Sequence, residues 1–221
     1  MTVLRYYLDF ISPYAYLGWP QVQALAKRSG VELRPVPVLF AAMLDAHGHK
    51  GPAEIEPKRI YTFKHVVRLA HDLGVPLRPP PAHPFNPLLA LRLASLPQPE
   101  PQRVRVIDLL YARTWAGGDG VTDAGALVEA LEAAGLPGAA MVAEAGTAAA
   151  KQRVRAQTDD AIARGVFGVP SFEVEGTGEV FWGQDAIPHV ERYLAGEDPV
   201  RPEWLDRWRD LPKGAVRAGG R

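Results

Sequence analysis

The stretch DFISPYAYLG, from Asp9 to Gly18, decides the fold because it joins a predicted strand to a predicted helix. The apolar run before it predicts a strand from Val3 to Phe10, and the pattern after it predicts a helix from Tyr14 to Arg28. Serine is a favoured N-cap residue, so Ser12 is expected to begin the helix. A helix start presents free backbone N–H groups and favours a bound anion. A capped helix without a ligand is the alternative.

The composition excludes several kinds of protein. The chain has 221 residues and a formal net charge of zero, which argues against electrostatic binding of nucleic acid. It has no cysteine, so disulfide chemistry and cysteine-based metal sites are excluded, and any thiol must arrive with a ligand. No apolar segment is long enough to span a membrane and the N-terminus lacks a signal-peptide layout, so a cytoplasmic protein is expected.

A strand–helix–strand unit and a long helical segment follow from this junction. Alternation from Val31 to Leu39 predicts a second strand, parallel to the first, and Pro35 and Pro37 suit an edge position. From Ala41 to about Gln157 the periodicity is helical, with no convincing strand. The helices predicted there are Pro57–Leu73, Pro87–Ser95, Arg103–Thr114, Ala124–Ala134 and Gly138–Thr147.

The end of the chain returns to strands. A helix from Val154 to Ala163 is predicted to precede a hairpin of Ser171–Val174 and Val180–Trp182, and a helix begins at Asp185 and runs to Leu194. In residues 201–211, apolar side chains at helical spacing are expected to pack back on the body, namely Trp204, Leu205 and Trp208. Residues 213–221 are expected to fray.

These elements predict an α/β protein with a thioredoxin-like fold and an all-helical insertion domain. Residues 1–40 and 155–198 would form the discontinuous thioredoxin-like domain. Residues 41–154 would form the insertion, and residues 199–221 a tail.

A second signal is GVPSF, from Gly168 to Phe172. In a tight loop, Pro170 can adopt the cis form. That form would turn the N–H and C=O of Val169 outward, toward a peptide-like ligand. A trans proline that closes a loop is the alternative.

Together the two signals resemble the DsbA-like branch of the thioredoxin superfamily, with Ser12 and Ala15 at the positions of the redox cysteines. More narrowly, the chain resembles the 2-hydroxychromene-2-carboxylate isomerase family, which is related to kappa-class glutathione transferases. The motifs that carry this resemblance are Asp9–Leu17, Pro84–Asn86, Ala163–Phe172 and Phe181–Asp185.

The resemblance implies a glutathione-dependent enzyme. Ser12 would stabilise the thiolate of glutathione by a hydrogen bond, and would not itself attack. The competing idea, a serine hydrolase, lacks a Gly-x-Ser-x-Gly motif around Ser12 and an assignable histidine. The main chain of Val169 would pair with the cysteinyl part, and Asp185 would accept from the γ-glutamyl ammonium unless it is only an N-cap. The implied glutathione contacts are Ser12, His49, Lys50, Val169, Pro170, Gly183, Gln184 and Asp185.

Two departures from the family pattern concern specificity. His49 stands where asparagine is usual, and Ala186 where arginine is frequent. Lys58 or Arg59 could meet a substrate carboxylate, and the expected substrate-lining residues are Tyr14, Tyr61, Phe85, Asn86 and Trp182. No metal site is expected, since His47 and His49 have no third ligand.

The expected function is the interconversion of 2-hydroxychromene-2-carboxylate and trans-o-hydroxybenzylidenepyruvate, or of a close analogue from aromatic catabolism. Glutathione would be a regenerated cofactor, and the partner a small aromatic-derived substrate. Related enzymes imply a homodimer. The alternatives are a kappa-class-like transferase and a non-catalytic thioredoxin-fold binding protein. A disulfide oxidoreductase is disfavoured because the chain has no cysteine.

Overall fold

The computed structural model describes residues 1–212 and 214–215, apart from the side chain of Pro202. Its centre is one sheet made of β1 (Val3–Leu8), β2 (Glu32–Pro37), β3 (Ser171–Val174) and β4 (Glu179–Trp182). The strands lie in the order β2-β1-β3-β4, and β1 is parallel to β2 but antiparallel to β3. The predicted α/β class and the edge position of β2 are therefore confirmed.

Helices surround this sheet and fill the long segment between β2 and β3. They are α1 (Pro13–Ser29), α2 (Phe40–His47), α3 (Glu56–Leu73), α4 (Leu88–Ala94), α5 (Glu100–Trp115), α6 (Ala124–Ala133), α7 (Gly138–Ala145), α8 (Ala148–Ala163), α9 (Ile187–Leu194) and α10 (Pro202–Arg209). The helical character predicted for this segment is confirmed. The division into domains stays a prediction, and α8 runs across its proposed boundary at residue 154.

Alternate residues of β1 face two apolar clusters. Leu4, Tyr6 and Leu8 belong to the larger cluster, which α1 and the insertion helices complete. Tyr7 faces the smaller cluster on the other side of the sheet, together with Met43 of α2 and Val169. The period of two along a strand produces this separation. It anchors the loop around Val169 to the body of the protein.

Among the predicted boundaries that differ from the structure, three have a clear local reason. The first strand ends at Leu8, because Asp9 begins a turn in which Ser12 N donates to Asp9 O at 3.1 Å. Helix α8 begins six residues before Val154, at a Thr147 cap whose hydroxyl accepts from Ala150 N. Asp185 does not begin an α-helix; it lies in a 3₁₀ turn, Gln184–Ala186, and α9 starts after it.

The C-terminal helix differs more strongly from the prediction. Helix α10 forms where expected, but Trp204 is 53% exposed and Trp208 is 73% exposed. The expectation that these side chains pack back on the body is wrong for the described protein. Helical spacing indicates an apolar stripe and does not specify what covers it. In the predicted frayed tail, residues 213 and 216–221 lie outside the described residues.

Among the helices that the structure describes, none has the length and apolar content needed to cross a membrane.

Candidate active site

Ser12 lies at the junction between the end of β1 and the start of α1. Its backbone is extended, with φ −92° and ψ 113°, and its hydroxyl accepts from Ala15 N at 3.2 Å, which confirms the predicted N-cap. The first turn of α1 contains no acidic residue. Since the remaining N–H groups and the helix dipole favour negative charge, this junction suits an anion.

Tyr6 holds the first turn of α1 from inside the protein. The buried Tyr6 hydroxyl donates to Ala15 O at 2.7 Å. A Cβ atom at Gly18 would lie 2.7 Å from the same hydroxyl oxygen. Glycine at position 18 therefore allows α1 to approach β1 closely enough for this hydrogen bond.

The loop before β3 faces this helix start. The Val169–Pro170 peptide bond is cis, which is one of the two forms that the sequence left open. Val169 O lies 3.4 Å from the Ser12 hydroxyl oxygen, which donates to it, and Gly183 N donates to Pro170 O at 2.9 Å. Among the described residues, no hydrogen bond is recorded from Val169 N–H. Ser12 and the main chain of Val169 are thus in direct contact, where the start of α1 meets the loop before β3.

Asp9 is a buried carboxyl group at this site that the sequence interpretation overlooked. It is 0% exposed, and its two oxygens accept from Ile11 N at 3.1 Å and Phe40 N at 2.9 Å. Burial raises the pKa of Asp9 to about 7, although the backbone hydrogen bonds lower it. Asp9 therefore connects the loop that carries Ser12 to the start of α2. Its place between a strand and a turn was the available signal.

Tyr14, in the first turn of α1, meets helix α3. Its hydroxyl lies 2.9 Å from His65 Nδ1, and Tyr61 stacks on His65 with ring centroids 5.8 Å apart. Burial raises the pKa of the Tyr14 phenol, and the negative charge of Asp185 adds to the rise. Tyr14 is consequently a neutral hydrogen-bond donor at neutral pH. His65 was missed because a histidine in the middle of a helix gives no sign of what it faces.

His83 contacts the loop that leads into Ser12. Its Nε2 lies 3.0 Å from Ile11 O, and Phe85 packs near it with ring centroids 6.2 Å apart. Burial lowers the pKa of His83, and the positive charge of Arg59 lowers it further. His83 is therefore a neutral side chain that supports the loop before Ser12, and Arg59 is within its electrostatic reach.

Asn86 has a local role in the structure. Asn86 is exposed, and its Oδ1 accepts a hydrogen bond from Leu88 N at 3.0 Å. The amide thereby supports the start of α4. The structure provides no contact between Asn86 and Ser12 in the described residues.

The turn after β4 places Asp185 near the start of α1. Gln184 is buried and accepts from Gln21 of α1 at 3.2 Å, whereas Asp185 is exposed. Gly183 has φ 96°, and a Cβ atom there would collide with an Asp185 carboxylate oxygen. A carboxylate that is open to solvent is available to a cationic ligand group.

Trp182 and Phe167 form an exposed aromatic pair beside the Val169 loop. Their ring centroids are 5.3 Å apart, and Trp182 is 58% exposed. A Cβ atom at Gly168 would lie 2.7 Å from Trp182 Nε1, so the indole ring covers this glycine closely. The loop and Trp182 thus provide an apolar surface next to Val169.

His49 and Lys50 lie beyond the end of α2 and are exposed. His49 N donates to Leu44 O at 2.9 Å, and its ring lies 6.2 Å from that of His47. Within the described part of the chain, no hydrogen bond links either side chain to Ser12 or Val169. Their role toward a ligand stays a prediction.

Comparison with known proteins identifies the fold family. A family model described as a DSBA-like thioredoxin domain matches residues 3–195. The chain belongs to the DSBA-like thioredoxin family. This assignment confirms the predicted fold.

Within the DSBA-like family, the chain is similar to two groups of proteins. It is 30% identical over 195 residues to 2-hydroxychromene-2-carboxylate isomerase of Sphingobium xenophagum, covering 86% of this chain and 97% of that protein. It is 26% identical over 213 residues to glutathione S-transferase kappa 1 of Rattus norvegicus, covering 90% and 93%. A solved structure of a 2-hydroxychromene-2-carboxylate isomerase superposes with a TM-score of 0.80 at 23% identity, covering 96% and 100%, and supports the fold. The predicted resemblance is confirmed.

Proposed function

We propose that this DSBA-like protein is a glutathione-dependent isomerase that interconverts 2-hydroxychromene-2-carboxylate and trans-o-hydroxybenzylidenepyruvate, or a close analogue. The observation that carries the proposal is the direct contact between the Ser12 hydroxyl and Val169 O, which lie 3.4 Å apart. A peptide thiol lying along Val169 would bring its sulfur to Ser12. The name of the Sphingobium relative supports the choice of reaction.

The chemistry of the helix start supports a bound thiolate. An unperturbed thiol has a pKa of about 8.5 and is mostly protonated at pH 7. The Ser12 hydroxyl and the dipole of α1 would both favour the charged sulfur, and a depression by one to two units would make most of it thiolate. The chain has no cysteine, so the nucleophilic sulfur would come from glutathione.

Main-chain and carboxylate groups match the remainder of the tripeptide. Val169 N–H and C=O would pair with the cysteinyl residue as a short added strand. Exposed Asp185 would accept from the γ-glutamyl ammonium. Gln184, Gly183 and Pro170 would shape this end of the site, and His49 and Lys50 are the candidates for the other end.

The proposed reaction uses glutathione as a covalent and regenerated cofactor. As the ring of the hemiketal opens, its hydroxyl loses a proton and the phenol oxygen gains one. The thiolate adds to the carbon next to the aromatic ring, so the double bond becomes single and an enolate forms. Rotation about the new single bond and elimination of the thiolate then give the trans product.

The aromatic residues near Ser12 would hold the substrate. Tyr14, Tyr61, Phe85 and Trp182 are the candidates. Arg59 is the candidate partner for the substrate carboxylate, since its positive charge helps to lower the pKa of His83, which contacts the loop before Ser12. Asn86 is the weakest of the predicted lining residues, since its side chain already caps α4. A homodimer and a cytoplasmic location stay predictions from the family resemblance.

A kappa-class-like transferase is the second candidate, and the similarity to the Rattus protein favours it. The two activities differ in the fate of glutathione. The test is the absorbance change of 2-hydroxychromene-2-carboxylate with and without glutathione, combined with thiol titration during turnover. An isomerase converts substrate only with glutathione and leaves the thiol concentration constant. Loss of one thiol per substrate converted would indicate a transferase. A protein that does not bind glutathione would have neither activity.

A further inference from the structure

We propose that the Tyr14 hydroxyl, supported by His65, donates the hydrogen bond that stabilises the enolate oxygen formed when the thiolate adds to substrate. Tyr14 would be the catalytic residue and His65 a positioning residue. The inference rests on the proposed function.

The position of Tyr14 carries the first step. It follows Ser12 by two residues, in the first turn of the helix that Ser12 caps. The negative charge of Asp185, the proposed anchor of the γ-glutamyl group, helps to raise the pKa of its phenol. Tyr14 therefore belongs to the same helix start as the proposed sulfur site, where an electrophile must approach the sulfur.

The contacts of His65 carry the second step. The Tyr14 hydroxyl lies 2.9 Å from His65 Nδ1. Tyr61 stacks on the other part of the imidazole, and the Tyr14 and His65 rings are 5.7 Å apart. The imidazole is thus held in one orientation by two aromatic neighbours. With Nδ1 protonated, His65 donates to the Tyr14 oxygen and leaves the phenol proton free for substrate.

The proton balance closes without another reactant. On addition, negative charge moves to the enolate oxygen, and the hydrogen bond from the Tyr14 phenol to it strengthens while the His65 Nδ1–H bond to Tyr14 strengthens with it. Neither proton is transferred, and on elimination the charge returns to the thiolate as it leaves. A hydrogen-bond chain of this kind strengthens the terminal donor. A neutral phenol suits the task, since a phenolate could only accept.

The test compares Tyr14→Phe, His65→Ala and His65→Asn in turnover of 2-hydroxychromene-2-carboxylate with glutathione. Tyr14→Phe should lower kcat by about 100-fold, the lower part of the range for general acid–base groups, with an unchanged KM for glutathione. His65→Ala should lower kcat less, by about 10-fold. His65→Asn retains an N–H group near the Nδ1 position and should recover most of that loss.

The double variant Tyr14→Phe/His65→Ala provides the decisive readout. If His65 acts through Tyr14, the double variant is no slower than Tyr14→Phe alone. If the kcat losses of the two single variants multiply in the double variant, His65 does not act through Tyr14. A Tyr14→Phe enzyme that keeps more than half of the wild-type kcat would overturn the role of Tyr14. Thiolate absorbance of bound glutathione should stay unchanged in all these variants.

Two matched controls guard against loss of fold. His71→Ala changes an exposed histidine on the same helix, and Tyr193→Phe removes a hydroxyl on α9. Both should retain kcat. If the wild type turns over the substrate and the Tyr14 and His65 variants keep its kcat, this inference is wrong and the proposed function is unaffected. A wild-type protein that binds glutathione but does not turn over the substrate would overturn the proposed reaction, and this inference with it.

Discussion

The Ser12 hydroxyl oxygen lies 3.4 Å from the carbonyl oxygen of Val169, although 157 positions separate the two residues. Neither local motif brings them together. The pairing of β1 with β3 does, because it places the end of one strand beside the loop that leads into the other. The start of α1 therefore meets the main chain of Val169, and this contact is the basis of the proposed thiol site.

A cysteine placed at position 12 would report on this environment without glutathione. Since the chain has no cysteine, Ser12→Cys introduces a single thiol. We expect its pKa to lie one to two units below about 8.5, because the α1 dipole favours the thiolate. The pH dependence of ultraviolet thiolate absorbance measures it. Ala140→Cys, at an exposed position within α7, is the control, and equal pKa values would contradict an anion site at Ser12.

Replacing Asp185 by asparagine should weaken glutathione binding about 10-fold, since a charged hydrogen bond in an exposed position is worth about 1.4 kcal/mol. Calorimetry measures the dissociation constant. Binding of cysteinylglycine, which lacks the γ-glutamyl group, should be equally tight in both proteins. Asp198→Asn, at a partly buried position outside the site, is the control. Equal weakening for both peptides would show that Asp185 does not contact the γ-glutamyl ammonium.

Gly18→Ala should destabilise the protein by about 1–3 kcal/mol, because overpacking a core costs that much. The added Cβ would lie 2.7 Å from the Tyr6 hydroxyl oxygen and displace it from Ala15 O. Gly125→Ala, at an exposed position in α6, should instead be neutral or stabilise by up to about 1 kcal/mol. Denaturant unfolding measures both. A neutral Gly18→Ala would show that α1 can move away from β1 at no cost.

Asp9 should make stability depend on pH. Burial raises its pKa in the folded state from 3.8 to about 7, so the unfolded chain releases this proton at lower pH than the folded protein. Ionising the buried Asp9 lowers the free energy of unfolding. This loss of stability is absent below pH 4, grows as pH rises and is complete above pH 7, where it reaches roughly 4 kcal/mol at most.

Asp9→Asn removes this titration. The free energy of unfolding of the wild type should therefore fall relative to that of the variant between pH 4 and pH 7, as measured by urea unfolding at several pH values. The comparison cancels the titration of other groups. A difference that is constant over this range would show that Asp9 titrates normally in the folded protein.

Much of the fold follows from local patterns in the sequence. The strand–helix junction, the edge strand with Pro35 and Pro37, and the hairpin near the C-terminus all carry signals of period and turn chemistry. The serine cap also follows from a short motif, and another such motif allows the cis form of Pro170. These features depend on the preferences of a few adjacent residues, which is why a single sequence reveals them.

The features that were missed depend on tertiary contacts. Helix α2 begins where Asp9 and Thr158 accept from the backbone N–H groups of Phe40 and Leu39, and both acceptors are distant in sequence. His65 resembles any other helical histidine until Tyr14 is placed against it. The apolar stripe of α10 predicted packing that the structure does not show.

The most direct test of the account is a pH titration of the ultraviolet thiolate absorbance of glutathione bound to the wild type and to Ser12→Ala. Loss of the N-cap should cost about 1 kcal/mol of stability, so both proteins must first be shown to remain folded. We predict a thiol pKa near or below 7 in the wild type and a rise of about one unit or more in Ser12→Ala. Identical titration curves for the two proteins would contradict the claim that Ser12 stabilises the bound thiolate.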